Sequence, residues 1–202
     1  PDHIVYCKAH PIYVENKGEE TACELEKAFR EYTGKNGFMP KIIFVQGVGM
    51  FACGKTKKEA DTASVVFEDA VKIATYAMSF GGAKHMSEEL TSFIANWEVE
   101  SYRAKVALSG ATEKRLAGKI SIVTGSAQGF GAGIAEAMIR EGAYVAIADM
   151  NFEGAENMAK SLCEKYGKGT AFPVYVNVTD EESVKEMIKK TVLEYGGLDV
   201  FV

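Results

Sequence analysis

The sequence has few of the residues that form disulfide frameworks or metal sites. It contains 4 cysteines and 3 histidines among 202 residues. No two cysteines form a C-x-x-C pair, and no two histidines have the i, i+2 or i, i+4 spacing of metal ligands. We therefore expect reduced and mostly buried thiols, a cytoplasmic protein, and no metal site built by this chain alone.

Long apolar runs and an excess of positive charge are also missing. No apolar run approaches the roughly 20 residues of a membrane-spanning helix, and no signal peptide is recognisable. The formal net charge of −5 argues against nucleic acid or an anionic membrane as the main partner. We expect a small-molecule substrate and a homo-oligomer. Because Pro1 stands where an initiator methionine would, we interpret the chain as a piece of a longer protein.

The second half of the chain alternates between short apolar runs and amphipathic stretches. Such alternation predicts a parallel sheet with right-handed crossovers. We therefore predict a Rossmann-type, doubly wound α/β sheet, present only in part, over residues 119–202. The predicted strands lie at about 120–124, 144–149, 172–177 and 198–202, and the predicted helices at about 130–141, 152–166 and 180–195.

The first half predicts a smaller α/β segment with long helices, over residues 1–111. Thr56 and Glu59 form a T-x-x-E capping box, which fixes the start of a helix that extends to about Phe80. Its many alanines and large apolar residues predict a wide buried face. The other predicted elements are a strand pair within Ile4–Val14, helices at about 19–33 and 87–107, a strand at Lys41–Gln46, and a linker at 112–118.

A glycine turn follows the first apolar run of the second half. Gly125, Gly129 and Gly131 let the backbone approach a pyrophosphate, and the helix N-terminus behind them offers unpaired N–H groups. Asp149 ends the next strand at about the offset, roughly 20 residues, at which an acid meets an adenine ribose. This order predicts a dinucleotide site. The carboxylate of Asp149 would repel the 2′-phosphate of NADP, and no Arg or Lys stands at 150–152 to receive that phosphate. The predicted cofactor is therefore NAD.

A second motif competes for the nucleotide. Gly49–Thr56 reads GMFACGKT and matches the P-loop pattern, in which Lys55 would contact phosphates and Thr56 would hold Mg²⁺. The loop interior is bulky and apolar, however, and Gly47 and Gly49 stand where a hairpin would turn. We favour the hairpin. A P-loop protein and a non-catalytic module that retains only the fold stay as the alternatives.

A Tyr-x-x-x-Lys spacing occurs at Tyr13–Lys17. On a helix it would place a phenol and an ammonium on one face for proton transfer. Pro11 and Gly18 bracket the segment and its neighbours alternate as in a strand. We interpret the spacing as chance.

Four strings of the second half together form a known pattern, namely TGSAQGFG at 124–131, Asp149, NVTD at 177–180 and GGLDVFV at 196–202. On these residues, the segment 117–202 resembles the N-terminal part of the short-chain dehydrogenase/reductase family. The resemblance implies a doubly wound sheet around NAD(P) and oxidoreductase chemistry on an alcohol or carbonyl compound.

The same resemblance assigns cofactor-binding residues. Asp149 and Met150 would meet the adenosine ribose, while Asn177 and Val178 would flank the adenine. The family usually has aspartate at 177, and asparagine keeps a carbonyl oxygen that can accept the adenine amino group. The pyrophosphate and the ribose would be lined by Gly125, Ser126, Gln128, Gly129, Phe130 and Gly131.

No catalytic residue can be assigned from the resemblance. In the family an N-N-A-G turn, a catalytic Ser and a Tyr-x-x-x-Lys pair follow the fourth strand, whereas this sequence stops at Val202. We therefore predict that this chain alone binds NAD without dehydrogenase turnover.

The first half is similar to the closing segment of a class II aldolase-type domain. The similarity lies in PDHIVY at the start and in FMPKIIFVQGVGMFACGKTKKEAD at 38–61, with the long helix after it. Such a segment ahead of a short-chain dehydrogenase resembles the bifunctional rhamnulose-phosphate aldolase/alcohol dehydrogenase type, which implies a role in sugar breakdown. In that type the loop 47–56 is a structural hairpin and the metal-binding histidines lie upstream, so none is assigned here.

Overall fold

The computed structural model describes residues 2–95 and 114–202, and the chain divides into two compact units, Pro1–Gly110 and Ala111–Val202. In the first unit, β2 (Ile42–Val45) lies between β1 (Ile12–Val14), which is parallel to it, and β3 (Gly49–Ala52), which is antiparallel. The helices of this unit are α1 (Asp2–Cys7), α2 (Thr21–Asn36), α3 (Lys57–Ala77) and α4 (Glu88–Ala95), with short 3₁₀ turns at Gly18–Glu20 and Met78–Phe80.

Both faces of β2 are buried, because helices cover this small sheet on either side. Ile43 and Val45 pack against Phe29 of α2, while Ile42 packs with Ala63 of α3. The helix predicted at about 19–33 is confirmed as α2, and its apolar residues face the sheet.

The predicted strand pair within Ile4–Val14 is wrong in its first half, because residues 2–7 form α1. Cys7, the last residue of this helix, is 1% exposed, and its thiol donates to the carbonyl oxygen of Ala63 at 3.3 Å. Packing against α3 thus overrides the local pattern of β-branched and aromatic residues. The second half of the prediction is confirmed as β1, and Tyr13 lies on this strand.

Helix α3 begins where the capping box predicts, with Thr56 Oγ1 accepting the N–H of Glu59 at 3.2 Å. The wide buried face predicted for it is wrong. Ala63 is the one buried residue of this helix, every residue of which is described. The sheet and α1 cover its first half, whereas three apolar residues of the predicted face are exposed, namely Val71, Ile73 and Met78.

The prediction of mostly buried thiols is also wrong. All four cysteines lie in the described residues and are free, but only Cys7 is buried. Cys53 and Cys163 are half-buried and Cys23 is exposed on α2. The predicted helix at 87–107 agrees with α4 at its start, and its positions 96–107 lie outside the described residues, as do the first two positions of the linker predicted at 112–118.

The second unit alternates strands and helices in the predicted order. Its elements are β4 (Ile120–Thr124), α5 (Gly129–Arg140), β5 (Tyr144–Asp149), α6 (Phe152–Tyr166), β6 (Ala171–Tyr175), α7 (Glu181–Tyr195) and β7 (Val200–Phe201). All strand pairs are parallel and the sheet order is β6-β5-β4-β7. The chain therefore moves outward in one direction from β4 and then returns to its other side, and ligands of α/β sheets bind at the carboxyl ends of strands at such a switch point.

Helices cover both faces of this sheet. Val145 and Ile147 pack with Leu162 on the face covered by α5 and α6. Ala146 packs with Met187 of α7 on the opposite face. Successive residues of β5 thus enter different cores, and the predicted doubly wound sheet is confirmed.

Candidate functional site

The glycine turn lies between β4 and α5, at the switch point. Gly125 and Gly129 have φ angles of 64° and 62°, in the left-handed region that glycine adopts without strain. A Cβ added at Gly131 would lie 2.2 Å from the carbonyl oxygen of Gly125. The three glycines predicted from the motif are thus required by backbone geometry, and they leave a side-chain-free surface.

Ser126 anchors this turn to the neighbouring strand. Its side chain is buried, and its hydroxyl donates to the carbonyl oxygen of Val123 at 2.6 Å. The same oxygen accepts the N–H of Ala148 in β5 at 3.0 Å. The structure therefore places the Ser126 hydroxyl inside the protein, where it shapes the turn, rather than on the surface that a pyrophosphate would contact.

Asp149 lies at the end of β5, directly beside the turn. Its Oδ2 accepts the N–H of Ala127 at 3.0 Å, and its Oδ1 accepts the N–H of Asn151 at 2.9 Å. A carboxylate oxygen can accept more than one hydrogen bond, so both oxygens retain capacity for ribose hydroxyls. The structure thus brings the predicted acid and the predicted turn together.

The N-terminus of α5 faces the same end of the sheet. Gln128 precedes the helix in an extended conformation, and in the described part of the chain its side chain makes no capping hydrogen bond. The first N–H groups of a helix have no partner within it, and they combine with the positive end of the dipole to favour an anion. The turn and this terminus together suit a pyrophosphate.

Three large apolar side chains are exposed after the carboxyl ends of three adjacent strands. Phe130, in the first turn of α5, is 95% exposed. Met150 follows β5 and Val178 follows β6, and both are more than half exposed. Apolar groups gathered in this way around a polar turn are typical of a ligand-binding surface.

Asn177 follows β6, two residues after Tyr175, which is the register partner of Asp149. Its Oδ1 accepts both the N–H and the hydroxyl of Thr179, at 3.1 and 2.8 Å. The backbone N–H of Asn177 donates to Ser183 Oγ at 2.9 Å. The carbonyl oxygen that the sequence assigns to the adenine amino group therefore already holds the turn into α7.

Three residues of the site were not singled out from the sequence. Ala127 donates to Asp149, and Asn151 caps α6 by accepting the N–H of Gly154 at 3.0 Å. A Cβ at Gly154 would lie 2.6 Å from Asn151 Nδ2 and 3.1 Å from Ala127 Cβ. The signal available was the asparagine directly before a predicted helix, which is a preferred N-cap.

The competing P-loop does not have the geometry of a phosphate site. Residues Gly49–Ala52 form β3, and their backbone pairs with β2 in an antiparallel hairpin. The N–H of Lys55 donates to Glu59 Oε2 at 2.7 Å, and Thr56 Oγ1 serves as the helix cap. The hairpin interpretation is confirmed, because these groups are used within the protein.

The described residues also bear on three other features, namely metal sites, membrane-spanning helices and the Tyr13–Lys17 spacing. Across residues 2–95 and 114–202, no three His, Cys, Asp or Glu side chains gather as a metal site would require. None of the helices in those two ranges combines the length and apolar character needed to cross a membrane. Lys17 lies outside β1 and pairs with Glu24 at 3.3 Å, so Tyr13 and Lys17 do not share a helical face.

Two family models match separate parts of the chain. A family model described as short chain dehydrogenase matches residues 119–202, and one described as aldolase class II, second domain, matches residues 1–104. An uncharacterised oxidoreductase of Bacillus subtilis, YuxG, is 28% identical over 222 aligned positions, which cover 100% of this chain and 32% of that protein.

Other relatives match less than half of the chain. An uncharacterised oxidoreductase of Thermotoga maritima is 44% identical over 87 residues, covering 43% of this chain and 33% of its own length. A solved 3-ketoacyl-(acyl-carrier-protein) reductase of Brucella melitensis, complexed with NADH, is 29% identical with a TM-score of 0.39, over 43% of this chain and 33% of that one. The chain thus spans about a third of the length of the curated relatives it matches.

Proposed function

Because the chain belongs to the class II aldolase second-domain family and its residues 119–202 match the short chain dehydrogenase family model, we propose that it is part of a nicotinamide-dependent oxidoreductase. In this proposal the glycine turn, Asp149 and the exposed apolar residues bind the dinucleotide. The bound cofactor would supply hydride transfer to or from an alcohol or carbonyl compound.

One observation carries the proposal. The N-terminus of α5 approaches Gly125 so closely that Gly131 has no room for a side chain, and the carboxylate of Asp149 is hydrogen-bonded to the same turn. A pyrophosphate therefore meets backbone N–H groups on one side, and an adenosine ribose meets a fixed carboxylate on the other. Gly131, Asp149 and the apolar Phe130, Met150 and Val178 fit a dinucleotide.

The preferred cofactor in this proposal is NAD rather than NADP. A carboxylate at the ribose position accepts hydroxyl hydrogen bonds and repels a 2′-phosphate. Residues 150–152 are Met, Asn and Phe, so no cation stands there to receive that phosphate. Asp149 is thus the residue on which the choice depends.

The substrate and setting of the proposed enzyme follow from the two families together. The proposed substrate is a small hydroxy or oxo compound of sugar breakdown, in agreement with the aldolase-type first unit. The proposed enzyme is a cytoplasmic homo-oligomer. Exposed apolar residues of α3, among them Val65, Ile73 and Tyr76, offer surface for another copy. Light scattering should therefore report an oligomer, and a monomer would contradict this part of the proposal.

Catalytic residues are not assigned to this chain, and we expect it to bind the dinucleotide without turnover.

Equilibrium titrations watched by fluorescence test the cofactor assignment. The full chain should bind NADH more tightly than NADPH, and it should not bind ATP–Mg²⁺. Asp149→Ala should weaken NADH binding by about tenfold, the scale of losing charged hydrogen bonds to the ribose, and should affect NADPH less. Tight ATP–Mg²⁺ binding that is lost in Lys55→Ala, without NADH binding, would overturn the proposal in favour of the P-loop. A wild-type preference for NADPH would overturn the role given to Asp149.

A further inference from the structure

The carboxylate of Asp149 makes contacts within the protein that a ribose acceptor does not need. One oxygen accepts the N–H of Ala127, in the middle of the glycine turn, at 3.0 Å. The other accepts the N–H of Asn151, which begins the connection to α6, at 2.9 Å. A single side chain therefore connects the turn after β4 to the segment after β5.

The turn is tied to β5 at two successive residues. Ser126 is held by its buried hydroxyl, which accepts the N–H of Ala148. Ala127 is held by its N–H, which donates to Asp149. The peptide between Ser126 and Ala127 is fixed by these two contacts. Because glycines at 125 and 129 flank this peptide and are conformationally permissive, the shape of the turn depends on such anchors.

We propose that Asp149 is a positioning residue for the glycine turn as well as the acceptor for the adenosine ribose. Ribose recognition and the shape of the pyrophosphate-binding turn would then depend on the same carboxylate. This inference rests on the proposed dinucleotide site, and it adds a role toward a part of the ligand that Asp149 does not touch.

The two roles have opposite consequences for a ligand whose adenosine ribose lacks its 2′- and 3′-hydroxyls. A carboxylate that acts only on the ribose contributes nothing to such a ligand, and removing its negative charge favours an anionic pyrophosphate. A carboxylate that positions the turn supports the same ligand, because the released N–H of Ala127 lets the turn adopt other shapes. The sign of the effect therefore distinguishes the two roles.

Amide hydrogen exchange, measured by NMR on the full chain without added ligand, tests the positioning role. Asp149→Ala should speed exchange at Ala127 and Asn151 by about tenfold or more, the scale of one lost charged hydrogen bond. The matched control is Asp199→Ala, because Asp199 also accepts a backbone N–H, that of Ile120 at 2.9 Å, at the opposite end of β4. Exchange at Ala127 should be unchanged in this control. Unchanged exchange at Ala127 in Asp149→Ala would overturn the proposal.

Calorimetric binding of two ligands completes the test, namely ADP-ribose and its analogue built on 2′,3′-dideoxyadenosine. Asp149→Ala should weaken the dideoxy analogue by about threefold to tenfold, while Asp149→Asn, which keeps one acceptor oxygen, should weaken it less. Asp199→Ala should bind both ligands as the wild type does. Equal or tighter binding of the analogue by Asp149→Ala would overturn the proposal, and Asp149→Asn carries the test if the alanine variant does not fold. If the wild type does not bind ADP-ribose, the proposed function and the ribose role fail together, whereas the exchange result alone decides the positioning role.

Discussion

A methyl group added at Gly131 would lie 2.2 Å from the carbonyl oxygen of Gly125 and 2.7 Å from its carbonyl carbon. The first turn of α5 therefore contacts the backbone that leaves β4. The carbonyl oxygen and carbon of Gly125 are main-chain atoms, so they cannot rotate away as a flexible side chain could. This contact explains why the third glycine of the motif is required even though its own φ angle is not in the left-handed region.

The first prediction follows from that contact. Gly131→Ala should lower the free energy of unfolding by about 1–3 kcal/mol, the usual cost of overpacking, and should weaken NADH binding at least tenfold because the turn moves. Gly133→Ala is the matched control, since it lies on the same helix and no described atom outside that helix is within 4 Å of its added Cβ. This control should gain about 0.5–1 kcal/mol from helix propensity. Urea unfolding and NADH titration measure both, and a Gly131→Ala variant with wild-type stability and binding would contradict the account.

Two buried serines of the second unit should respond oppositely to the same substitution. Ser121, on β4, has a buried hydroxyl that lacks a hydrogen-bond partner among the described residues. Ser121→Ala should therefore leave the protein as stable or stabilise it by about 1 kcal/mol. Ser126→Ala should destabilise it by about 1–3 kcal/mol, because the N–H of Ala148 loses its side-chain acceptor. Urea unfolding decides this prediction, and equal effects of the two substitutions would contradict it.

Most elements of the second unit could be predicted from the sequence because several local signals agree there. The strands predicted at 120–124 and 144–149 coincide with β4 and β5. Asp180 caps α7, as expected of an acidic residue directly before a stretch with helical periodicity. The first unit was harder to predict. The segment Ile4–Val14 carries β-forming residues, yet its start becomes α1 through packing against α3, a contact between residues 56 positions apart in the chain. Such tertiary effects leave no local pattern.

The sequence predicts which residues form the candidate site, but not the contacts that their side chains make. The glycines and Asp149 follow from the chemistry of phosphate and ribose binding. The sequence does not show that the Ser126 hydroxyl points into the protein, that Asn177 Oδ1 is used by Thr179, or that Asp149 holds Ala127. These contacts depend on how the turns after β4, β5 and β6 meet at one end of the sheet.

Phe130 is predicted to act on the ligand and not on the fold. Its side chain is 95% exposed, so Phe130→Ala should change the free energy of unfolding by less than about 0.5 kcal/mol. It should weaken NADH binding by about threefold to tenfold, because the apolar contact beside the pyrophosphate is lost. Phe80→Ala is the control, since Phe80 is 90% exposed but lies in the first unit, in the 3₁₀ turn that follows α3. A loss of NADH binding in Phe80→Ala, or none in Phe130→Ala, would contradict the assignment.

Tyr195 should make the second unit sensitive to alkaline pH. Burial raises the pKa of its phenol, and the hydroxyl donates to the carbonyl oxygen of Gly169 at 3.1 Å. Because the folded-state pKa is above that of the unfolded chain, this stabilisation is complete below about pH 10 and decreases as the pH rises further. The decrease should reach about 1.4 kcal/mol per pH unit for this group. Urea unfolding between pH 9 and 11 should show a smaller decrease in Tyr195→Phe than in the wild type, and an identical decrease would contradict the prediction.

NMR mapping of NADH on the isotope-labelled full chain tests the dinucleotide site most directly. We predict that backbone amide shifts change at 125–131, at 149–150 and at 177–178. Amides of the hairpin and cap at 49–56 should not change with NADH, and none of these positions should change with ATP–Mg²⁺. Shift changes confined to 49–56, with none at 125–131, would contradict the claim that the glycine turn after β4 binds a nicotinamide dinucleotide.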